Sequence, residues 1–438
     1  MMTIAALVSS VALSATLTHG PQVGALGPTS VRIWARACTL SANGTCSEAP
    51  TAVLVRYRQA GTSGAWSIAG PVSAIWSSDW TARIDVTGLL PSTSYDYEVD
   101  VDGTIQAADM FRALPAPGAS FARLVVGGDQ FTGLDGPNDN APPWTSYDHA
   151  LALDPDAYFF IGDWSYPSGT SLSKYRLAYR TTAAETRMRA FLRRVPTVAM
   201  LDDHEIRNDW DRGTAPPYPT ALRAWNEYPG SLRPAPYRAG VLYYTLRVGP
   251  AEVFVADCRT HRSLNSAPDD ANKTMLGAQQ EADVAQWLSL SPAPLRILAL
   301  PVPMFDYQCV PGVNCACILY ASCIDRWTNF KAARQRLLDA IDAAGSTPVL
   351  IASADLHAPH VALWTLASGR TVEEWSGAPI AAFSVTTPLV GPQTVWSASG
   401  AGAAWTLLDV SVQLGQVSVA ASIRDKLGAI RHQGVITW

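Results

Sequence analysis

The chain has 438 residues, 48% of them hydrophobic and 16% charged, and 32 basic against 37 acidic side chains leave a net charge of −5. That length suits two or three domains, and a chain so apolar and lightly charged builds packed cores rather than staying disordered. No basic tract is interleaved with aromatics, which argues against nucleic acid as a dedicated partner, and no internal apolar run reaches the ~18 residues of a transmembrane helix.

Residues 1–18 are small and apolar with Ser and Thr but lack a basic start, so they are either a secretory signal peptide or an irregular first strand. From 19 to 113 the chain reads as strands. Val31-Arg-Ile-Trp-Ala-Arg, Val53-Leu-Val-Arg-Tyr-Arg and Tyr95-Asp-Tyr-Glu-Val-Asp-Val alternate, and Gly61, Gly64, Gly88 and Asp102-Gly103 punctuate them. Short alternating runs at this spacing predict an antiparallel β-sandwich. Within it, Val86-Thr-Gly-Leu-Leu-Pro-Ser-Thr-Ser-Tyr-Asp-Tyr resembles a signature of fibronectin type III modules. Cys38 and Cys46 flank a polar loop holding Asn43, which, like Asn272, sits in a glycosylation tripeptide. Residues 114–120 read as a linker.

Beyond residue 120 continuous apolar runs alternate with helical segments, the pattern of an α/β domain extending to residue 438. Helices are expected over 172–194, 278–288 and 326–344. The first carries Arg176, Arg180, Arg187, Arg189, Arg193 and Arg194, read most simply as a solvated face. Cys309, Cys315, Cys317 and Cys323 lie close together but lack the paired Cys-x2-Cys spacing of a zinc site. Two disulfides in an exported chain are the better expectation, with Cys258 left as a buried thiol.

The residues that follow the apolar runs carry the chemistry. Leu124-Val-Val-Gly-Gly leads to Asp129, Phe159-Phe-Ile-Gly to Asp163 with Tyr166 close behind, and Val198-Ala-Met-Leu to Asp202-Asp203-His204-Glu205. Val253-Phe-Val-Ala leads to Asp257-Cys-Arg259, and Leu350-Ile-Ala-Ser-Ala to Asp355-Leu-His357. Strand ends of an α/β sheet share one edge, so these groups converge, and carboxylates gathered there repel unless cations lie between them. A lone Asp after a strand is more often a turn former. His261 and His360 taken singly are surface or satisfied residues, Asp257 orients Arg259, and Asp202 supports a ligand. The ordered set together points to a polynuclear metal site.

Gly162-Asp163 followed by Asp203-His204-Glu205 and then Asp355-Leu-His357 resembles the calcineurin-like metallophosphoesterases, and within them the alkaline phosphatase D (PhoD-like) family. Gly24-Ala-Leu-Gly-Pro-Thr-Ser-Val-Arg-Ile-Trp-Ala-Arg, Asp257-Cys-Arg259, Gly277-x-x-Gln280 and Gln286-Trp-Leu288 are similar to further blocks of that family. The resemblance implies a four-layer αββα sandwich behind a fibronectin-like β-sandwich, and a pocket holding Fe3+ and Ca2+ or another pair drawn from Zn, Mn and Mg. Carried over by position, Asp129, Asp163 and Tyr166 hold the first metal and Asp163 bridges to the second. Asp203, Asn208, Asp355 and His357 supply the remaining ligands, His204 acts as acid/base or phosphate contact, and Arg259 binds the substrate phosphate. Gly128-Asp129 stands where close members carry Ser-Cys, a hard donor in place of a thiolate.

Phosphate ester hydrolysis needs a nucleophile and neutralisation of developing charge, and two cations roughly 3.5–4 Å apart meet both needs through a bridging hydroxide. The expected activity is therefore that of a secreted phosphomonoesterase or phosphodiesterase, extracellular or periplasmic, on small or polymeric phosphate esters. Two alternatives stay open: the same fold on a phosphonate or sulfate ester, and a non-enzymatic adhesion or glycan-binding protein with a vestigial site. No Gly-x-Ser-x-Gly elbow or P-loop is present. Oligomeric state is not legible.

Overall fold

The computed structural model describes residues 14–131, 144–305, 325–382, 384, 391–398 and 402–438. Residues 1–13 and the four clustered cysteines lie outside the described residues. So do most of residues 130–146 and 306–325.

The amino-terminal part contains β1 (Ala15–Gly27), β2 (Ser30–Thr39), β3 (Thr51–Gln59), β4 (Ser67–Ala74), β5 (Thr81–Thr87), β6 (Ser94–Val101) and β7 (Thr104–Arg112). The sheet β4-β3-β6-β7 faces β1-β2-β5. Alternation along β6 sends Tyr95, Tyr97 and Val99 inward, against Val31, Ile33, Ile84 and Val86, as one-sided sheets require. Ala15 and Leu17, from the expected leader or first strand, lie in this core. A disulfide joins Cys38 to Cys46 with Cα atoms 5.5 Å apart.

The rest of the chain continues with β8 (Phe121–Gly127), α1 (Thr145–Leu151), β9 (Ala157–Ile161), α2 (Leu172–Ala183), α3 (Thr186–Leu192), β10 (Thr197–Met200), α4 (Tyr218–Glu227), β11 (Tyr244–Val248), β12 (Ala251–Val255), α5 (Ala278–Leu290) and β13 (Leu295–Leu300). Then follow α6 (Lys331–Ala343), β14 (Val349–Ser353), β15 (His360–Thr365), β16 (Thr371–Ser376), β17 (Thr394–Ser397), β18 (Ala404–Gln413), β19 (Gln416–Asp425) and β20 (Ile430–Thr437). One sheet runs β20-β19-β18-β8-β9-β10-β1-β2-β5 and the other β11-β12-β13-β14-β16-β15-β17. Strands β8-β9-β10 and β12-β13-β14-β16 are parallel and covered on both faces, which is why they read as unbroken apolar runs. One apolar core embraces residues of both sheets and of the helices, giving the αββα layering.

The two parts share a sheet. β1 pairs with β2 along its length and meets β10 in parallel at Gly24 and Thr197. The segment 172–194 is two helices, because Glu185 turns its carboxylate to the Met188 amide and starts a second one. Its arginines are not simply a solvated face, although Arg187 and Arg194 remain half-exposed. Arg180 pairs with buried Asp79 at 2.5 Å, Arg176 with Glu227 at 2.6 Å, Arg194 with Asp109 at 2.8 Å, and Arg189 donates to the Gly20 carbonyl. Arg180, Arg189 and Arg194 tie these layers to the amino-terminal part. Helix α6 starts later than expected, where Asp269 accepts the Lys331 and Ala332 amides.

Candidate metal centre

The carboxyl ends of β8, β9, β10 and β14 meet at one edge. Close packing there demands glycine: a Cβ on Gly128 would lie 2.7 Å from the Ala354 Cβ, and one on Gly162 2.7 Å from the Asp202 Cβ. The residues beyond are held in left-handed backbone, with φ of 59° at Asp129, 61° at Asp163, 61° at Asp355 and 51° at His357. Such conformations are costly for side chains other than glycine and cluster where a site imposes them. The ladder of Asp129 N–H to Gly162 O (3.0 Å), Gln130 N–H to Asp163 O (3.1 Å) and Ala381 N–H to Asp129 O (3.2 Å) locks the strand ends together.

Asp129 and Asp163 are buried. The Tyr166 hydroxyl donates to Asp163 Oδ2 at 2.9 Å and lies 3.2 Å from His357 Nε2, and His357 Nε2 lies 3.2 Å from Asp129 Oδ1. Asp129, Asp163 and His357 present ligand atoms within 4.8 Å of one another, and so do Asp163, Asp203 and His204. Asp163 therefore belongs to both groups. The His204 amide donates to Asp163 Oδ1 at 3.3 Å, and its ring lies 4.2 Å from the Tyr166 ring. Asp355 joins Asp202 and Asp203 in another such group. Asn208 lines the cavity of about 30 Å³ that also exposes Asp163, Asp203, His204, Asp355 and His357.

Electrostatics press for a cation. Burial, then Asp203 and Asp129, push the Asp163 carboxyl well above its ordinary range. Burial raises Asp355 to about 6 despite Arg326. Burial would raise Asp203 as well, but the Arg259 guanidinium brings it down to about 2. Asp129 Oδ1 and Asp203 Oδ1 are buried and accept no hydrogen bond from the described residues. Buried oxygens to which no described residue donates, beside a histidine nitrogen and a phenol, form a donor set that fits hard metal ions.

Arg259 is placed elsewhere than expected for a phosphate contact. It is fully buried, its guanidinium forked onto Asp202 and bonded to Asp325 at 2.5 Å, with Asp203 at 3.6 Å and Asp355 at 3.7 Å. Asp257 accepts the Arg259 and Thr260 amides, both at 2.9 Å, and Gln280 clamps the Asp257 backbone. The Asp257-Cys-Arg259 and Gly277-x-x-Gln280 blocks thus build this support. His360 is a core histidine stacked on Phe305, and His261 is exposed.

Three participants escaped the sequence. Glu205 accepts the amides of Asp163 (3.1 Å), Trp164 (2.5 Å), Ser165 (3.3 Å) and Asp202 (2.6 Å). Its place in the Asp-Asp-His-Glu block was a signal. Asp325 and Arg326 follow no apolar strand and gave none.

A family model described as PhoD-like phosphatase matches residues 131–403, more than half of the chain, and one for the PhoD-like phosphatase amino-terminal domain matches residues 4–115. The chain belongs to the PhoD-like phosphatase family. Among curated proteins it is 23% identical over 353 residues to alkaline phosphatase D of Bacillus subtilis (strain 168), a match covering 70% of this chain and 58% of that relative. The fold matches a structure of PhoD with a TM-score of 0.77 at 18% identity, covering 97% of this chain and 93% of the other. It also matches purple acid phosphatase PPD1 from yellow lupin (Lupinus luteus), with a TM-score of 0.69 at 14% identity, covering 97% and 74%. This chain thus shares its layering with a purple acid phosphatase.

Proposed function

We propose that this chain is a metal-dependent hydrolase of phosphate esters. The observation that carries the reading is Asp163, shared between one group with Asp129 and His357 and another with Asp203 and His204. Asp129, Asp163, Tyr166 and His357 would hold one ion, and Asp163, Asp203, Asn208 and Asp355 a second. Hard oxygen donors favour Fe3+ beside Tyr166 and Ca2+ or another divalent ion opposite. Such a pair supplies an activated water and neutralises phosphoryl charge.

The chain's own groups do the rest. Glu205 and Arg259 fix the ligand loops. Burial lowers the His204 pKa, and the Asp203 carboxylate opposes that shift. Placed over Tyr166 and beside Asp163, its imidazolium form would deliver a proton to the leaving oxygen and be left as neutral imidazole. The Cys38–Cys46 disulfide supports an oxidising, exported setting for this chemistry.

The test is elemental analysis of purified protein together with hydrolysis of nitrophenyl phosphate and bis-nitrophenyl phosphate. Bound metal and turnover of either ester are expected. Metal-free protein that gains no turnover with added Fe and Ca, Zn, Mn or Mg overturns the reading.

A further inference from the structure

We propose that Gln130 is a positioning residue for the metal centre, its side-chain amide setting the spacing of Asp129 and Asp163; the inference rests on the two-ion reading. Gln130 directly follows Asp129 and is fully buried. Its side chain leaves the Asp129 segment and reaches the loop of Asp163 and Tyr166, where Nε2 donates to the Trp164 carbonyl at 3.0 Å. Its backbone N–H donates to the Asp163 carbonyl at 3.1 Å, so two successive peptides of that loop hang on one residue. Glu205 accepts the Trp164 N–H from the other side. The loop needs such holding because Asp163 sits in left-handed backbone, which an aspartate adopts at a cost. Phe131 continues the arrangement, its ring meeting that of Tyr166 edge-on with centroids 5.2 Å apart.

Hydrogen-bond chemistry explains why the residue is glutamine. A backbone carbonyl only accepts, so the amide must turn its NH2 to Trp164 and its oxygen the other way. There the Tyr147 hydroxyl of α1 donates to Gln130 Oε1, and the Tyr158 hydroxyl of β9 lies 3.3 Å from that of Tyr147. Burial pushes both phenols well above their ordinary range, so both keep their protons. Tyr147 directs its proton to Gln130, which leaves Tyr158 to donate to Tyr147. The donors then run one way, from Tyr158 to Tyr147 to Gln130 to Trp164, through a buried region where such chains strengthen one another. An ionised glutamate would meet the Trp164 carbonyl with a second acceptor, and a methionine would fill the space with neither bond. The chain of bonds anchors two ligand-bearing loops to α1, an element that carries no proposed ligand.

The experiment compares wild type with Gln130→Met, Tyr147→Phe and the double variant, reading metal retention during chelator titration and thermal unfolding of the metal-free proteins. Gln130→Met should bind metal about 10- to 100-fold more weakly, the usual cost of losing a partner behind the ligands. Tyr147→Phe should show a smaller loss, and the double variant no more than Gln130→Met alone, because the phenol acts through the amide. Affinity in Gln130→Met within about 2-fold of wild type, even with earlier unfolding of the metal-free protein, would show that Gln130 only fills the core and overturns the proposal. Losses that add in the double variant would show two separate effects and overturn it as well. Tyr147→Phe carries the test if the methionine variant does not fold, and unchanged affinity there overturns the proposal. A wild type that retains no metal overturns the two-ion reading itself, and this inference with it.

Discussion

The Glu205 carboxylate accepts the backbone amide of Asp163 at 3.1 Å, so a residue with no place in the cavity fixes the one that joins both ligand groups. The same carboxylate holds the amides of Trp164, Ser165 and Asp202. Both oxygens are acceptors here, and an amide side chain would turn an NH2 toward one pair of N–H groups. Glu205→Gln should therefore lower metal affinity about 10- to 100-fold. Metal retention during chelator titration measures this, and retention equal to wild type would remove Glu205 from the supporting structure.

Asp163→Ala should release metal and abolish hydrolysis, since it deletes the donor common to both groups. Tyr166→Phe removes only the hydroxyl that lies between Asp163 and His357. If iron is bound, that variant should lose its visible charge-transfer band while its fold is retained. Absorption spectra of the two purified proteins decide the matter.

His204→Ala should keep bound metal and lose on the order of 10²–10⁴-fold in rate on alkyl phosphate esters. The loss on nitrophenyl esters should be smaller, because a nitrophenolate leaves without a proton. Equal losses on both esters would assign His204 to phosphate binding, and loss of metal would make it a ligand.

Asp79 is buried between the two parts of the chain, accepting from Arg36 at 3.3 Å, from Arg180 at 2.5 Å and from the Tyr228 hydroxyl. Burial alone would raise its pKa, but Arg36 and Arg180 hold it below the usual carboxylate value. A depressed folded-state pKa contributes stability that is present above about pH 4 and lost as pH falls through the folded value. Asp79→Asn should cost about 3–5 kcal/mol at neutral pH. Urea midpoints of wild type and variant should converge as the pH drops below 4; a constant gap would mean that packing rather than charge is at stake.

Cys258 is buried, and burial pushes its thiol up to about 12. With Cys38–Cys46 formed and the clustered four cysteines paired, denatured unreduced protein should show one thiol on titration. Seven thiols would refute export into an oxidising compartment.

The sequence by itself determined the strand ends and what stands on them. Continuous apolar runs alternating with helical segments suit parallel strands covered on both faces, and such strands deliver Asp129, Asp163, Asp203 and His357 to a common edge. The alternation around Tyr95 and Tyr97 likewise dictated a one-sided sandwich. Local pattern could not say what answers a charge from far along the chain. Arg259 meets Asp202 across 57 residues and Asp325 across 66, and Arg180 meets Asp79 across 101. An arginine beside a metal motif looks the same whether it faces substrate or other carboxylates, and an arginine-rich helix looks the same whether it faces water or another layer. Only the folded arrangement, in which β1 enters the sheet beside β10 and Arg259 lies buried against Asp202 and Asp325, decided between them, because the energy of a charge depends on its neighbours in space rather than in sequence.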